Sequence, residues 1–269
     1  MEKSLKEQLV VLPTHKPHIS FSEYSTWAAC SYRHKLEFVD GLGESASSAY
    51  LTFGSVQHKC CENLMAHDEP NIEYGILQLE KAWSEHPEFE QQISLSDAKR
   101  GLIEITPEIK PYFDATFPGW KWVASEHVLY EQIEDTPHAF KGFIDLVIEV
   151  PVKKKKITWL VDWKSCAWGW GYDKKNNPIT QRQLVFYKKF YAEKMGLDIK
   201  DMRCGFVLLK RTAKPGQRIE LIPVSAGELT IERATKQARN MLSSLKKGIA
   251  LKNRESCKWC PFNGTDHCT

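Results

Sequence analysis

The sequence predicts an α/β fold in which a central mixed β-sheet is flanked by helices, with a helical lobe at the N-terminus and a cysteine-containing C-terminal tail. Three observations support this class. Apolar residues recur at helical spacing before residue 120. Segments rich in Val, Ile, Trp and Phe, bounded by turn residues, then run to about residue 225 and surround one helical stretch. A long helix with a polar face follows them. This succession is typical of a sheet covered by helices.

The N-terminal region is predicted to be helical throughout. Ser20 or Ser22 can cap its first helix. Two prolines, Pro107 and Pro111, are expected to kink or break its last helix, because proline removes a backbone donor and clashes with the preceding turn. The predicted helices span residues 20–40, 50–67, 73–86 and 95–116.

The remaining elements alternate between strands and helices. Predicted strands span residues 121–133, 139–150 and 157–165, with a hairpin connection at 151–156 between the last two, and a helix follows at 179–195. Two more strands, at 202–212 and 217–224, precede a helix at 226–250. We therefore divide the chain into an extension (1–19), a helical region (20–120), a core (121–225) and a C-terminal segment (226–269).

Composition limits the class of protein. The chain has 269 residues, 42% of them apolar, which suffices for one large domain. It has no run of roughly 20 apolar residues, as a membrane span requires. The charged residues before Pro13 lack the apolar core of a signal peptide, so a cytoplasmic protein is expected. The net charge is only +3, but basic residues cluster at 153–175 and 233–258. These clusters could form a phosphate-binding surface, or simply a charged turn and a solvated helix face.

Two predicted strands carry candidate catalytic residues. Side chains alternate along a strand, so Asp162 and Lys164 point to the same face. Asp145 is the acidic residue of the apolar run 142–147, and antiparallel pairing could bring it beside Asp162. Two carboxylates, with the backbone carbonyl of Trp163, would suit Mg²⁺. The alternative is a salt bridge between either aspartate and Lys164, without catalysis.

Eight cysteines are many for a chain expected in a reducing compartment, where disulfides are rare. Four of them, Cys60, Cys61, Cys166 and Cys204, are scattered among apolar residues and are interpreted as ordinary thiols. Three others, Cys257, Cys260 and Cys268, crowd the C-terminal end and predict a metal or cluster site that lacks a fourth ligand. On ligand chemistry alone, Zn²⁺ is favoured over a [4Fe–4S] cluster.

The three charged residues resemble a known catalytic core. Asp145, Asp162 and Lys164 look like the core of the PD-(D/E)XK nucleases, with Asp162 in the position often filled by Glu. Residues 54–58, ending in His58, resemble the first motif of the RecB-like branch, in which a helical histidine completes the metal site. Residues 183–187 resemble its QxxxY motif. The resemblance covers about residues 20–268 in order.

The cysteines extend this resemblance. Cys30, followed at the other end of the chain by Cys257, Cys260 and Cys268, resembles the split iron–sulfur ligands of AddB-type nuclease domains and CRISPR-associated RecB-like exonucleases. The resemblance therefore implies a [4Fe–4S] cluster, with Zn²⁺ as the alternative and His267 or another cysteine as the alternative fourth ligand. Such a cluster would close a loop of more than 220 residues. By analogy with a disulfide, this closure is worth roughly 5 kcal/mol.

The resemblance implies a restriction-endonuclease-like core and a Mg²⁺- or Mn²⁺-dependent deoxyribonuclease, an exonuclease on single-stranded DNA or DNA ends. His58, one helical turn after Gly54, would join Asp145, Asp162 and the Trp163 carbonyl around the metal. Lys164 would position water or stabilise developing charge.

Further residues would assist. Gln183 and Tyr187, which share a helix face, would orient DNA unless they belong to an ordinary amphipathic helix. Glu126 is a further acidic candidate. Partners in DNA repair, recombination or CRISPR adaptation are expected. Two other functions are a non-catalytic DNA-binding subunit and a zinc-binding structural protein.

Overall fold

A six-stranded mixed sheet forms the centre of the protein in the computed structural model, which describes residues 10–43 and 47–269. The strands are β1 (His18–Ser20), β2 (Lys121–Gln132), β3 (Ala139–Val152), β4 (Lys155–Cys166), β5 (Met202–Lys210) and β6 (Ile219–Val224). The helices are α1 (Phe21–Ala29), α2 (Ser31–His34), α3 (Ala49–His67), α4 (Ile72–Glu85), α5 (Leu95–Thr116), α6 (Tyr172–Lys175), α7 (Pro178–Met195) and α8 (Glu228–Lys246). The predicted sheet flanked by helices is confirmed. The expectation about a signal peptide rests partly on residues 1–9, which lie outside the described residues.

The two edges of β3 are used differently. Antiparallel β2 covers one edge from Ala139 to Glu149. The other edge is shared, because β4 pairs with β3 from Leu146 to Val152 and β1 pairs in parallel from Ala139 to Lys141. Residues 142–145 of β3 therefore face an opening in the sheet between β1 and β4. This opening carries the candidate site. The sequence did not predict β1.

The two faces of the sheet have separate apolar cores. On one face, α7 and α8 pack over a cluster that includes Phe140, Ile144 and Leu160. On the other, α3 and α5 pack over a cluster that includes Leu146, Val161 and Trp163. A third cluster joins α3, α4 and α5, and accounts for the predicted helical lobe.

The structure differs in detail from three local predictions. The helix predicted at 20–40 is interrupted at Cys30, which is extended (φ −160°, ψ 110°), and a π-helical turn follows at Lys35–Val39. The prolines do not break α5, since both are exposed and the carbonyls they leave unpaired can reach water. The predicted hairpin connection between these strands is confirmed, but it is a tight turn at Lys153 and Lys154 and not a loop over 151–156, because the β3–β4 ladder continues to Val152 and Lys155.

Within the described ranges, none of the helices is long and apolar enough to cross a membrane.

Candidate active site

Two aspartates face each other where β3 and β4 separate. The last ladder pair is Leu146 with Val161, so the next antiparallel pair would be Asp145 with Asp162. The Trp163 N–H instead donates to Asp145 Oδ2 at 2.7 Å. The Asp162 side chain is only 2% exposed. The opening of the sheet therefore holds two carboxylates on neighbouring strands.

The charges at the opening perturb one another. Burial and the negative charge of Asp162 raise the pKa of Asp145 well above its ordinary value. Burial alone would lower the pKa of Lys164, but the attraction of Asp162 and Asp145 outweighs it and raises the pKa. Lys164 therefore stays charged and partly offsets the two acids.

Asp162 and Lys164 form a close ion pair. Lys164 Nζ lies 2.7 Å from Asp162 Oδ2, and this buried oxygen has no other partner in the described part of the chain. A buried carboxylate oxygen is costly unless a cation or a donor approaches it, and here the Lys164 ammonium does so. The alternative drawn from the sequence, a salt bridge with Lys164, is thus present, and it leaves a lone pair available.

His58 approaches the same opening from α3. Its Nδ1 lies 3.7 Å from Asp145 Oδ2. Burial lowers the pKa of His58 to about 4, although the charge of Asp162 and a backbone contact with Trp163 oppose this. The imidazole is therefore neutral at neutral pH, which is the form that binds metals.

Gly54 precedes His58 by one helical turn. A Cβ placed there would meet Ser165 Oγ at 4.0 Å as its nearest neighbour, so the packing of the protein itself does not require glycine. Open space lies over this part of α3.

α7 brings a polar pair to the aspartates. The Gln183 Nε2 group donates to Asp162 Oδ1 at 2.7 Å and to the Tyr187 hydroxyl at 3.1 Å. The helix begins with Asn177 as its N-cap and Pro178 in its first turn. The sequence analysis missed Gly142, where a Cβ would lie 2.8 Å from Tyr187 Cε1. A glycine inside a strand is a signal for such a close approach.

The donor set suits a divalent cation. Two carboxylates and a neutral imidazole adjoin, and these are oxygen and nitrogen ligands that such a cation accepts. The side chains of these three residues do not converge on a single position for a metal ion. Residues 10–43 and 47–269 contain no group of three or more His, Cys, Asp or Glu side chains arranged to hold an ion. In this arrangement the Lys164 ammonium supplies the positive charge next to Asp162.

Comparison with known families assigns the chain as a whole to one of them. The model of the PD-(D/E)XK nuclease superfamily matches residues 18–265. The chain belongs to this superfamily. A solved structure named "Putative exonuclease", from Eubacterium rectale, is 17% identical, covers 91% of this chain and 88% of its own, and has a TM-score of 0.57. At this identity the likeness shows the fold alone.

Other comparisons add little. The solved structure of SSO0001 covers 86% of this chain and 91% of its own at 13% identity, with a TM-score of 0.33, and supports no conclusion. No protein with a curated description is similar enough in sequence to count as a relative.

A third acid of this PD-(D/E)XK nuclease lies on β2. Ser125 pairs with Leu146 and His127 with Ile144, which sets Glu126 opposite Asp145. Partial desolvation and the charge of Glu62 raise the pKa of Glu126. Its φ of 49° is uncommon for a residue other than glycine, and such strain often occurs at functional sites.

The nuclease also joins its two ends through Cys30. The break between α1 and α2 turns Cys30 Sγ toward the C-terminal tail, where it accepts from the Asn253 N–H at 3.4 Å. Burial alone would raise the pKa of the Cys30 thiol, but backbone N–H groups, including those of Asn253 and Arg33, outweigh it and lower the pKa. Cys30, Cys257, Cys260 and Cys268 line one cavity of about 50 Å³.

The other four cysteines differ from these. Cys60, Cys61 and Cys204 are buried, and Cys166 is partly buried. Burial raises the pKa of Cys60 to about 11 and that of Cys204 to about 12, so neither thiol is ionised at neutral pH.

Proposed function

We propose that this nuclease is a Mg²⁺- or Mn²⁺-dependent deoxyribonuclease of the RecB-like branch, acting as an exonuclease on single-stranded DNA or DNA ends. The observation that carries the proposal is the meeting of His58, Asp145, Asp162 and Lys164 at the opening between β3 and β4. These four residues come from three elements, α3, β3 and β4, and an ordinary core would not collect two acids, an imidazole and an ammonium here.

His58, Asp145, Asp162 and the Trp163 carbonyl would hold the metal, in keeping with a family that generally uses divalent cations. The metal would lower the pKa of a bound water and neutralise charge on the scissile phosphate. The neutral imidazole of His58 adds no positive charge that would repel a cation.

The remaining side chains would act on the phosphate and on the acids. Lys164 is 31% exposed and could turn from Asp162 to a phosphate oxygen, where its charge would stabilise the transition state. Gln183 fixes the Asp162 carboxylate through its hydrogen bond and holds the Tyr187 hydroxyl beside it. Gln183 and Tyr187 would thereby orient the DNA backbone.

We further propose that Cys30, Cys257, Cys260 and Cys268 bind a [4Fe–4S] cluster that fastens the two ends of the chain, with Zn²⁺ as the alternative. What supports this proposal is that the four cysteines, from both ends of the described chain, line one cavity. Backbone hydrogen bonds already join the ends here, as from the Tyr32 N–H to the Leu251 carbonyl at 3.1 Å. A structural role for the cluster follows.

The function is tested with Asp162→Asn on end-labelled single-stranded and duplex DNA, with Mn²⁺ or with a chelator. Cleavage by the wild type should require the metal, and Asp162→Asn should abolish it while leaving DNA binding intact. The matched control is Asp135→Asn, which alters an exposed carboxylate paired with Arg239 and should cleave normally. DNA binding by the wild type without cleavage would favour a non-catalytic DNA-binding subunit.

A further inference from the structure

A groove of about 380 Å³ lies beside the candidate active site, within the usual range of roughly 300–1,000 Å³ for ligand pockets. It is bounded by the start of α3, the start of α5 and the loop that follows β4. Five of the twelve lining residues are aromatic or basic: Tyr50, Phe53, Arg100, Trp168 and Arg211. Neither the nuclease motifs nor the cysteine site accounts for these residues.

Arg211 is held between two rings. Its guanidinium carbon lies 5.7 Å from the ring centre of Tyr50 and 5.1 Å from that of Phe53. Its Nε is buried and has no hydrogen-bond partner within residues 10–43 and 47–269. A guanidinium oriented by aromatic rings in the lining of a groove is suited to contact a phosphate oxygen through its terminal amino groups.

Trp168 stands at the rim of the groove and is 80% exposed. The turn that presents it continues through Gly169, whose φ of 126° a larger residue would rarely adopt. Trp170, two residues further on, is buried against Phe206 and anchors the loop. A tryptophan exposed on an anchored loop has a free face on which a planar group can stack.

The groove is continuous with the catalytic strand. Ser165, which lines it, follows Lys164 on β4, and because side chains alternate along a strand it points to the other face of the sheet, toward α3. Its Oγ is buried without a hydrogen-bond partner in the described part of the chain. Gly54 of α3, one helical turn before His58, leaves open space beside it. A polymer bound next to His58 could therefore extend along α3 into the groove.

We propose that this groove binds unpaired bases of the DNA strand that is cut, with bases stacked on Trp168 and Tyr50 and a phosphate at Arg211. An aromatic platform beside cationic groups is how proteins bind single strands without sequence preference. Bases of an intact duplex are stacked on each other and cannot enter. The inference rests on the proposed function and narrows its substrate to an unpaired strand or a frayed end.

The test compares Trp168→Ala with Trp168→Phe by the fluorescence of a 2-aminopurine-labelled oligodeoxynucleotide, without divalent metal so that no cleavage occurs. Wild type and Trp168→Phe should quench the fluorescence by stacking. Trp168→Ala should lose the quenching and bind roughly 5- to 100-fold more weakly. Its folding should be unaffected, because the side chain is exposed. Tyr74→Ala on α4, outside the groove and 52% exposed, serves as the matched control and should bind as the wild type does.

Cleavage separates the two proposals. With Mn²⁺, Trp168→Ala should lose preference for an overhang over a blunt duplex, whereas the wild type and Tyr74→Ala keep it. If the wild type cleaves DNA but Trp168→Ala quenches, binds and discriminates as the wild type does, the groove proposal is wrong and the nuclease proposal stands. If the wild type quenches but never cleaves, the groove proposal stands and the nuclease proposal is wrong.

Discussion

A single methyl group at position 54 should separate stability from activity. Gly54 lies inside α3, and glycine in a helix interior is about 1 kcal/mol less favourable than alanine. The added Cβ of Gly54→Ala would meet its nearest neighbour, Ser165 Oγ, at 4.0 Å, so no steric penalty offsets this gain. The free energy of unfolding should rise by about 1 kcal/mol, which raises the melting temperature by about 2–4 °C.

Activity should change in the opposite direction. The methyl occupies the space that a DNA strand would use next to His58, and a displacement of about 1 Å can lower a rate by about 100-fold. We expect Gly54→Ala to reduce DNA cleavage by about 10- to 100-fold. Calorimetry or a thermal melt gives the stability, and cleavage of a labelled strand at saturating Mn²⁺ gives the rate.

A second helical glycine provides the contrast. A Cβ at Gly75 would lie 2.8 Å from Leu102 Cδ2 and 3.0 Å from Cys60 Sγ. Gly75→Ala should therefore lose about 1–3 kcal/mol of stability from overpacking and keep its cleavage rate below the melting temperature. A Gly54→Ala protein that is more stable and fully active would show that DNA does not use the space over α3. A less stable one would refute the packing argument.

Two further predictions concern buried charge and the cysteines. Burial and the charge of Asp162 raise the pKa of Asp145, so the folded protein keeps the carboxyl proton at pH values where the unfolded chain has lost it. The free energy of unfolding of the metal-free protein should therefore fall as the pH rises through that raised pKa. Asp145→Asn, which has no proton to lose, should remove this fall. His58 has the opposite effect, because its pKa is lowered: its contribution to stability is complete above pH 6.5 and is lost as the pH falls toward about 4. The wild type and Asp145→Asn both contain His58, so this contribution does not distinguish them. Melts in chelator between about pH 4 and pH 8 check this, and parallel curves would contradict it. Cys30→Ser should lose bound iron or zinc and up to roughly 5 kcal/mol of stability, as measured by elemental analysis and denaturation. Cys60→Ser should keep the metal, and equal metal content in both variants would rule out Cys30 as a ligand.

Properties set by local backbone geometry could be predicted from the sequence. Alternation along a strand gave the shared face of Asp162 and Lys164, and helical spacing gave the shared face of Gln183 and Tyr187. The prediction of a continuous helix over residues 20–40 failed because periodicity does not register a contact with a distant segment. Cys30 is extended where its sulfur meets the backbone of Asn253, more than 200 residues away.

The sequence by itself determined the longer helices and strands, their order and the residue types available for chemistry, because these follow from periodicity and turn chemistry over a few residues. The tertiary structure alone decided that β4 leaves β3 one pair before the two aspartates, that α3 brings His58 to the opening, and that Arg211 lies between Tyr50 and Phe53. Such meetings depend on how whole elements pack against each other. The free energy of that packing is spread over many distant contacts, none of which leaves a pattern within one segment of the chain.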